Sequence, residues 1–126
     1  MKKELTPIQI GNIGEKYTAK YLRRKGYRIR ERNMRNFHSE IDIIAENKEY
    51  IVFVEVKTRT VGQLFPPRAA VNAEKRRKII RASQTYMRYK NIEKTPRYDI
   101  AEVYLTKEKH RVDSINYIEN AFVNGR

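Results

Sequence analysis

Glu40, Asp42, Glu55 and Lys57 are the residues of this chain whose types and spacing could do chemistry, at the two ends of a stretch running from Ser39 to Arg59. Two apolar, β-rich runs flank a polar turn. The first opens with Glu40 and Asp42, and the second closes with Glu55-Val56-Lys57. Three carboxylates and an ammonium at the rim of an apolar hairpin suit metal-assisted hydrolysis of a phosphodiester. Asp42 and Glu55 would hold a divalent cation, which polarises the phosphate and lowers the pKa of a bound water. Lys57 would orient or help deprotonate that water and stabilise charge in the transition state. The plainer reading is a solvated face, the usual meaning of alternating charge and valine. Against it, Tyr50 to Val54 is apolar at every position, as in a strand buried on both faces, and charges emerging from such a strand usually line a cleft.

Whether the four charged residues meet depends on register. With Asn47 and Lys48 as the central turn residues, and Asn47 tolerating the positive φ of a tight hairpin, Glu46 faces Glu49. Asp42 then faces Phe53 and Glu40 faces Glu55, with all four charged side chains on one side of the hairpin. A one-residue slip would separate them. Directly opposed like charges are unfavourable across a ladder, so Glu40 against Glu55 with Asp42 diagonal to both asks for a compensating cation.

The elements that must position these residues are well marked. Thr6 as N-cap, Pro7 at the first helical position and Gln9 completing a capping box open a first helix. Arg23, Arg24 and Lys25 followed by Gly26 close it. Ile10, Ile13, Tyr17 and Tyr21, widened by Leu22, form its apolar stripe. Gly11 and Gly14 each weaken a helix interior by about 1 kcal/mol, which close approach to a strand would explain and mere tolerance would not need. Glu15 falls at the stripe's edge, where a solvated glutamate is the common case. Strands are predicted over 27–33, 40–45 and 50–57, and a loop marked by Gly62, Pro66 and Pro67 from Thr58 to Asn72. Asn72 caps a second helix to about Tyr89, with Ile79, Ile80, Ser83, Tyr86 and Met87 as its core stripe. Arg77, Arg81 and Arg88 share its opposite face, flanked by Lys78. A fourth strand is predicted from Tyr98 to Leu105 and a fifth from Arg111 to Tyr117. This order means an α/β domain, a mixed central sheet flanked by helices, with the 126 residues forming one domain.

A net charge of +13 points to a polyanionic partner, nucleic acid before an acidic membrane surface, or else to a basic protein whose charge only deters self-association. With no cysteine and only His38 and His110, thiolate sites are excluded and a usual zinc centre is poorly served, leaving Mg²⁺ or Mn²⁺ on oxygen ligands. No signal-peptide core or membrane-length apolar run is present, so a cytoplasmic protein is the default. Among weaker candidates, His38 reads as a surface histidine, Asp99 as a balance for nearby arginines, and Tyr17, Tyr21 and Tyr86 as core.

Asp42 followed after twelve residues by Glu55-Val56-Lys57 resembles the PD-(D/E)xK signature of the restriction-endonuclease-like superfamily, in itself a weak pattern. The wider match is stronger: Gly14-Glu15, Glu40 to Ala45, Phe53 to Arg59, Ala70-Val71-Asn72 with Lys75, and Ile118 to Phe122 together resemble the bacterial YraN-type family. That family is similar in fold and site pattern to archaeal Holliday junction resolvases. The resemblance implies an α-β-β-β-α-β nuclease core, dependence on Mg²⁺ or Mn²⁺, and DNA as substrate, with branched DNA among the candidates. It carries Asp42 and Glu55 over as metal ligands, Lys57 as the catalytic lysine and Glu15 as an extra acidic ligand, with Glu40 and Lys75 as site support. Arg59, Arg77, Lys78, Arg81 and Arg88 would contact nucleic acid. Ser39 stands where the family usually has glycine, and no Pro-Asp pair precedes the site. Symmetric resolution of a four-way junction needs two sites, which a homodimer would supply. The competing reading is a basic nucleic-acid-binding protein that keeps the nuclease fold without cutting. An RNA-associated or ribosome-bound factor also fits the charge but uses no feature of the hairpin.

Overall fold

A computed structural model describes residues 4–62 and 72–123. The elements run α1 (Pro7–Arg24), β1 (Arg28–Arg35), β2 (Glu40–Glu46), β3 (Tyr50–Thr60), α2 (Ala73–Tyr89), β4 (Thr95–Leu105) and β5 (Val112–Phe122). The strands form one sheet in the order β1-β2-β3-β4-β5. β3 and β4 are parallel, and the other three neighbouring pairs are antiparallel. The expected α-β-β-β-α-β core with a mixed sheet is therefore present, followed by a further antiparallel strand.

β3 carries the core on both faces. On one side Val52, Val54 and Val56 pack with Ala19 and Leu22 of α1 and with Ala101, Val103 and Leu105 of β4. On the other, Ile51 and Phe53 pack with Ile79, Ile80 and Tyr86 of α2 and with Tyr98 and Ile100. Every residue from Ile51 to Val56 is buried, as its unbroken apolar run implies. β3 runs on to Thr60, beyond the predicted strand end at Lys57, because the parallel ladder continues through Thr58↔Val103 to Thr60↔Leu105. The rest of the predicted loop, including Pro66 and Pro67, lies outside the described residues. β1 ends at Arg35 and not Asn33, β4 begins at Thr95, and β5 reaches Phe122, beyond the predicted end at Tyr117. Pro96 sits in the first residues of β4, where a missing donor is tolerated.

The capping box on α1 is as predicted: the Gln9 N–H donates to Thr6 Oγ1 at 3.1 Å and the Thr6 N–H to Gln9 Oε1 at 2.8 Å. The most buried residues of α1 are Gly14, Thr18, Ala19 and Leu22, with Ile10, Ile13, Tyr17 and Tyr21 half-buried around them. Small residues hold the centre of the contact because α1 approaches β3 closely. A Cβ on Gly14 would fall on Thr58 Oγ1 and lie 3.0 Å from Thr58 Cβ, whereas one on Gly11 would meet nothing within 4 Å. Only Gly14 is required by close approach.

The β2–β3 hairpin differs from the expected register. Ile43 faces Val54, Ile44 faces Phe53, Ala45 faces Val52 and Glu46 faces Ile51, so pairing is displaced by two residues and the turn centres on Lys48 and Glu49. Asn47 does not take a positive φ; its side-chain oxygen accepts the N–H groups of Glu49 at 3.0 Å and Tyr50 at 2.7 Å. That bonding moves the turn, because asparagine here replaces a backbone acceptor. A two-residue displacement preserves the parity of every side chain.

Gly14→Ala should lower stability by about 1–3 kcal/mol through overpacking, and Gly11→Ala should raise it by about 0.5–1 kcal/mol through helix propensity. Urea melts of the two variants, and of Gly14→Ala combined with Thr58→Ala, measure this; the combination should recover part of the loss.

Candidate active site

Five of the predicted residues converge where β3 leaves the core. Glu15 comes from α1, Asp42 from β2, Glu55 and Lys57 from β3, and Lys75 from the first turn of α2. An open cleft of about 430 Å³ lies between α1 and the end of β3, lined by Gly11, Glu15, Asp42, Glu55, Lys57 and Thr58 among others. Asn72 caps α2 by accepting the Lys75 N–H at 2.9 Å, which sets where the Lys75 side chain begins.

Glu55 is the centre of the charge arrangement. It is 6% exposed, and its Oε1 accepts Lys75 Nζ at 2.9 Å and stands 3.3 Å from Lys57 Nζ. Two ammonium groups on one buried carboxylate oxygen compensate its desolvation. Burial pushes the Lys57 ammonium pKa down, with Glu55 pulling it up and Lys75 adding to the fall. Burial acts the same way on Lys75, but the Glu55 hydrogen bond and charge, with Lys57 and Asp42 adding to them, together outweigh it and its pKa rises.

Asp42 lies at a break in β2. Ile41 and Ile44 both join the α2-side core and Ile43 joins the α1-side core, so strict alternation fails between Ile41 and Ile44. On the neighbouring strand, Asn33 at φ 53° sits between the pairs Arg32↔Ile43 and Met34↔Ile41. The expected arrangement, with Glu40, Asp42, Glu55 and Lys57 on one face by simple alternation, is thus replaced by a kink that turns Asp42 into the cleft. Asp42 Oδ2 accepts the Val56 N–H at 2.8 Å, just beyond the last β2–β3 pair. Burial and then the Glu55 charge push the Asp42 pKa up to about 7, against the Val56 hydrogen bond. Burial likewise raises the pKa of Glu15, opposed by Asn33 and by Arg32, whose Nη2 lies 3.8 Å from Glu15 Oε1.

Glu40 does not oppose Glu55. Its register partner is Arg35, whose Nη2 donates to Glu40 Oε2 at 2.6 Å, so Glu40 stands outside the lining of the cleft and acts on it only through charge. Arg59 lines the cleft. Arg77, Lys78, Arg81 and Arg88 lie along α2 and all four are exposed, and Lys78 Nζ lies 3.4 Å from Glu74. His38 packs beside Phe37 and is not among the residues lining the cleft. Asp99 is fully buried and held by Arg97 at 2.8 Å, the Tyr117 hydroxyl at 2.6 Å and the Asn120 N–H at 2.9 Å, a structural anchor between β4 and β5.

Glu102 is a site neighbour that the sequence reading does not single out. It is the β4 partner of Lys57, is 3% exposed, and its Oε1 accepts Asn116 Nδ2 at 2.8 Å while its Oε2 is buried without a hydrogen-bond partner. An acid between Ala101 and Val103, in the fully buried stretch of β4, is the signal that could have found it.

The donor set fits a hard divalent cation: carboxylate oxygens from three elements, with Glu15 Oε1 buried and lacking a hydrogen-bond partner. The carboxylates share a cleft without meeting at one point, and among the described residues no three acidic or histidine side chains form a ready-made cage. Lysine Nζ atoms take the oxygen of Glu55 that a cation would otherwise use.

The span that holds the acids and lysines of the site also decides the family. Residues 14–116 match the model of the protein family described as uncharacterised protein family UPF0102. The chain belongs to the UPF0102 family. It is 45% identical over 121 residues to a UPF0102 protein of Caldanaerobacter subterraneus subsp. tengcongensis, covering 95% of this chain and 99% of that one. A UPF0102 protein of Clostridium acetobutylicum is 44% identical over 113 residues, covering 89% and 92%, and one of Geobacter metallireducens is 39% identical over 114 residues, covering 90% and 91%. Glu15, Asp42, Glu55, Lys57, Lys75 and Glu102 all fall within the span matched to UPF0102.

A raised folded pKa means that Asp42 stabilises the fold below its usual pKa of 3.8 and that this contribution is lost as pH rises through about 7. Asp42→Asn keeps an acceptor for Val56 and removes the charge. It should therefore raise stability by about 1–3 kcal/mol at pH 8, with the gain vanishing below pH 4. Denaturant melts of both proteins across pH measure the difference.

Proposed function

We propose that this chain is a Mg²⁺- or Mn²⁺-dependent DNA endonuclease of the restriction-endonuclease-like superfamily. It works in the cytoplasm, acts on DNA including branched forms, and pairs as a homodimer where a junction needs two cuts. The observation that carries this reading is the meeting of Glu15, Asp42, Glu55 and Lys57, from three elements, at one cleft, with Lys75 from a fourth element bonded to Glu55. A purely binding fold has no need of three buried or half-buried carboxylates with a desolvated lysine among them. Among the described residues no helix is long and apolar enough to cross a membrane.

Glu15, Asp42 and Glu55 would hold the cation, which when bound polarises the scissile phosphate and lowers the pKa of its water. The remaining work belongs to the chain. The Val56 N–H fixes the Asp42 carboxylate at 2.8 Å, so that its free oxygen is presented to the cleft. Lys75 at 2.9 Å orients Glu55 from the α2 side. Lys57, whose ammonium pKa burial lowers, orients the attacking water, takes part in moving its proton and stabilises charge on the phosphorane. Arg77, Arg81 and Arg88 on α2 position flanking phosphates and carry no sequence information.

Linear, flapped and four-way DNA assayed with each metal tests the reading. Cleavage should fall at least about 100-fold in Asp42→Asn, Glu55→Gln and Lys57→Ala while DNA binding persists. Equal cutting by wild type and all three variants would rule out this site. Tight binding by wild type without cutting of any substrate would leave a binding module on a nuclease fold.

Changing Arg77, Arg81 and Arg88 together should flatten the dependence of log K on log salt by about one unit for each phosphate no longer neutralised. Filter binding at a series of salt concentrations measures the slope, and an unchanged slope would place the DNA elsewhere.

A further inference from the structure

The nuclease reading leaves two exposed aromatic rings unused. Tyr89, 79% exposed, lines a groove between the β1–β2 turn and the C-terminal half of α2, and Phe37, 89% exposed, directly follows Asn36 of that lining. Phe37 is not on a loose tip. The Asn36 N–H donates to Ser39 O at 3.1 Å, the His38 N–H to Asn36 Oδ1 at 3.0 Å, and Asn36 Nδ2 to Ala82 O on α2 at 3.0 Å. The turn is thus braced against the helix while its largest apolar side chain faces solvent.

The groove, of about 320 Å³, is lined by Met34, Arg35, Thr85, Tyr86, Tyr89 and Lys90 among others. Apolar surface at its floor is bordered by cations: Arg35 is exposed, and Lys90 Nζ lies 5.4 Å from the centre of the Tyr89 ring. Glu31, the acid in the lining, accepts the Tyr86 hydroxyl at 3.0 Å. Aromatic faces interleaved with cations are the chemistry that takes a nucleobase and its phosphate together. The turn sits beside the start of β2, at the same end of the sheet as Asp42, and β2 alone separates β1 from β3. A DNA strand leaving the cleft has a short path to the groove.

We propose that the groove flanked by Phe37 and Tyr89 binds an unpaired base of single-stranded or locally opened DNA. This rests on DNA being the substrate of the adjacent cleft, and makes unpairing, as at a branch point, the feature by which substrates are selected. Phe37 and Tyr89 stack on the base, and Arg35 and Lys90 take its flanking phosphates.

Binding without added metal, read by 2-aminopurine fluorescence, tests this on single-stranded, bubbled and fully paired DNA of one length. Wild type should bind the unpaired and bubbled forms about tenfold tighter than the duplex and change the fluorescence of a probe in the unpaired stretch. Phe37→Ala with Tyr89→Ala should bring that preference within about twofold and leave duplex affinity as it was, and Phe37→Trp should retain it. Both side chains are solvent-exposed, so the fold should survive, as circular dichroism melts verify. A double variant that keeps the preference, or that loses affinity equally for all three forms, overturns the proposal. So does loss of preference accompanied by a change from dimer to monomer in sedimentation, which would assign the groove to a second copy. A wild type that prefers unpaired bases yet never cuts supports the groove and overturns the endonuclease reading. A wild type that binds no DNA overturns both.

Discussion

From Ile51 to Val56, β3 has no solvent face, and the rest of the molecule follows from covering it. Two apolar sides need two layers, so α1 packs on one and α2 on the other, while β2 and β4 pair with its edges. A strand buried in this way can bring charge into the interior only where partners wait for it. Glu55 enters that environment directly after Val54, and the cost of its desolvation is offset by Lys57 two residues on and by Lys75 from the helix that covers the same face. The crossover helix between two parallel strands therefore does double service: it closes the core and delivers the second ammonium.

Elsewhere in the sheet the same rule operates without a cleft. Glu46, at the opposite end of β2, is ringed by Arg28, Arg30 and Lys94 and its pKa is held down at about 2. Asp99 is enclosed by Arg97, the Tyr117 hydroxyl and the Asn120 N–H. Both acids have their oxygens satisfied. At the cleft, by contrast, Glu15 Oε1 is buried without a hydrogen-bond partner, as is Oε2 of Glu102 on the neighbouring strand, and Asp42 is driven toward neutrality by burial and its acidic neighbours. A surplus of unsatisfied acid beside solvent distinguishes this end of the sheet from the two structural clusters, and it is the pattern that a binding site for positive charge presents.

Much of this is legible in the residues. The Thr6–Gln9 capping box, the Asn72 cap and the two-sided burial of Ile51 to Val54 follow from short-range signals, because periodicity and capping are decided within a few residues. The hairpin register does not: the Asn47 side chain takes over a turn hydrogen bond that composition alone does not reveal, and pairing moves by two residues. A shift of two returns each side chain to its own face, but Asp42 reaches the cleft through the break in alternation between Ile41 and Ile44. Glu40 departs from its expected place for a different reason. Its partner is Arg35 on β1, a strand whose register against β2 shifts between Ile29 and Glu31.

The sequence by itself determined the types and order of the elements, the strand that must be central and the acids and lysine at its exit, since these rest on period, capping and charge. Tertiary structure alone decided which distant residues meet them. Lys75 reaches Glu55 from twenty positions away, Gly14 clears space for Thr58, and Glu102 comes to lie beside Lys57. Each of those contacts is made between elements whose mutual placement is set by packing on both faces of β3, and no local pattern encodes it.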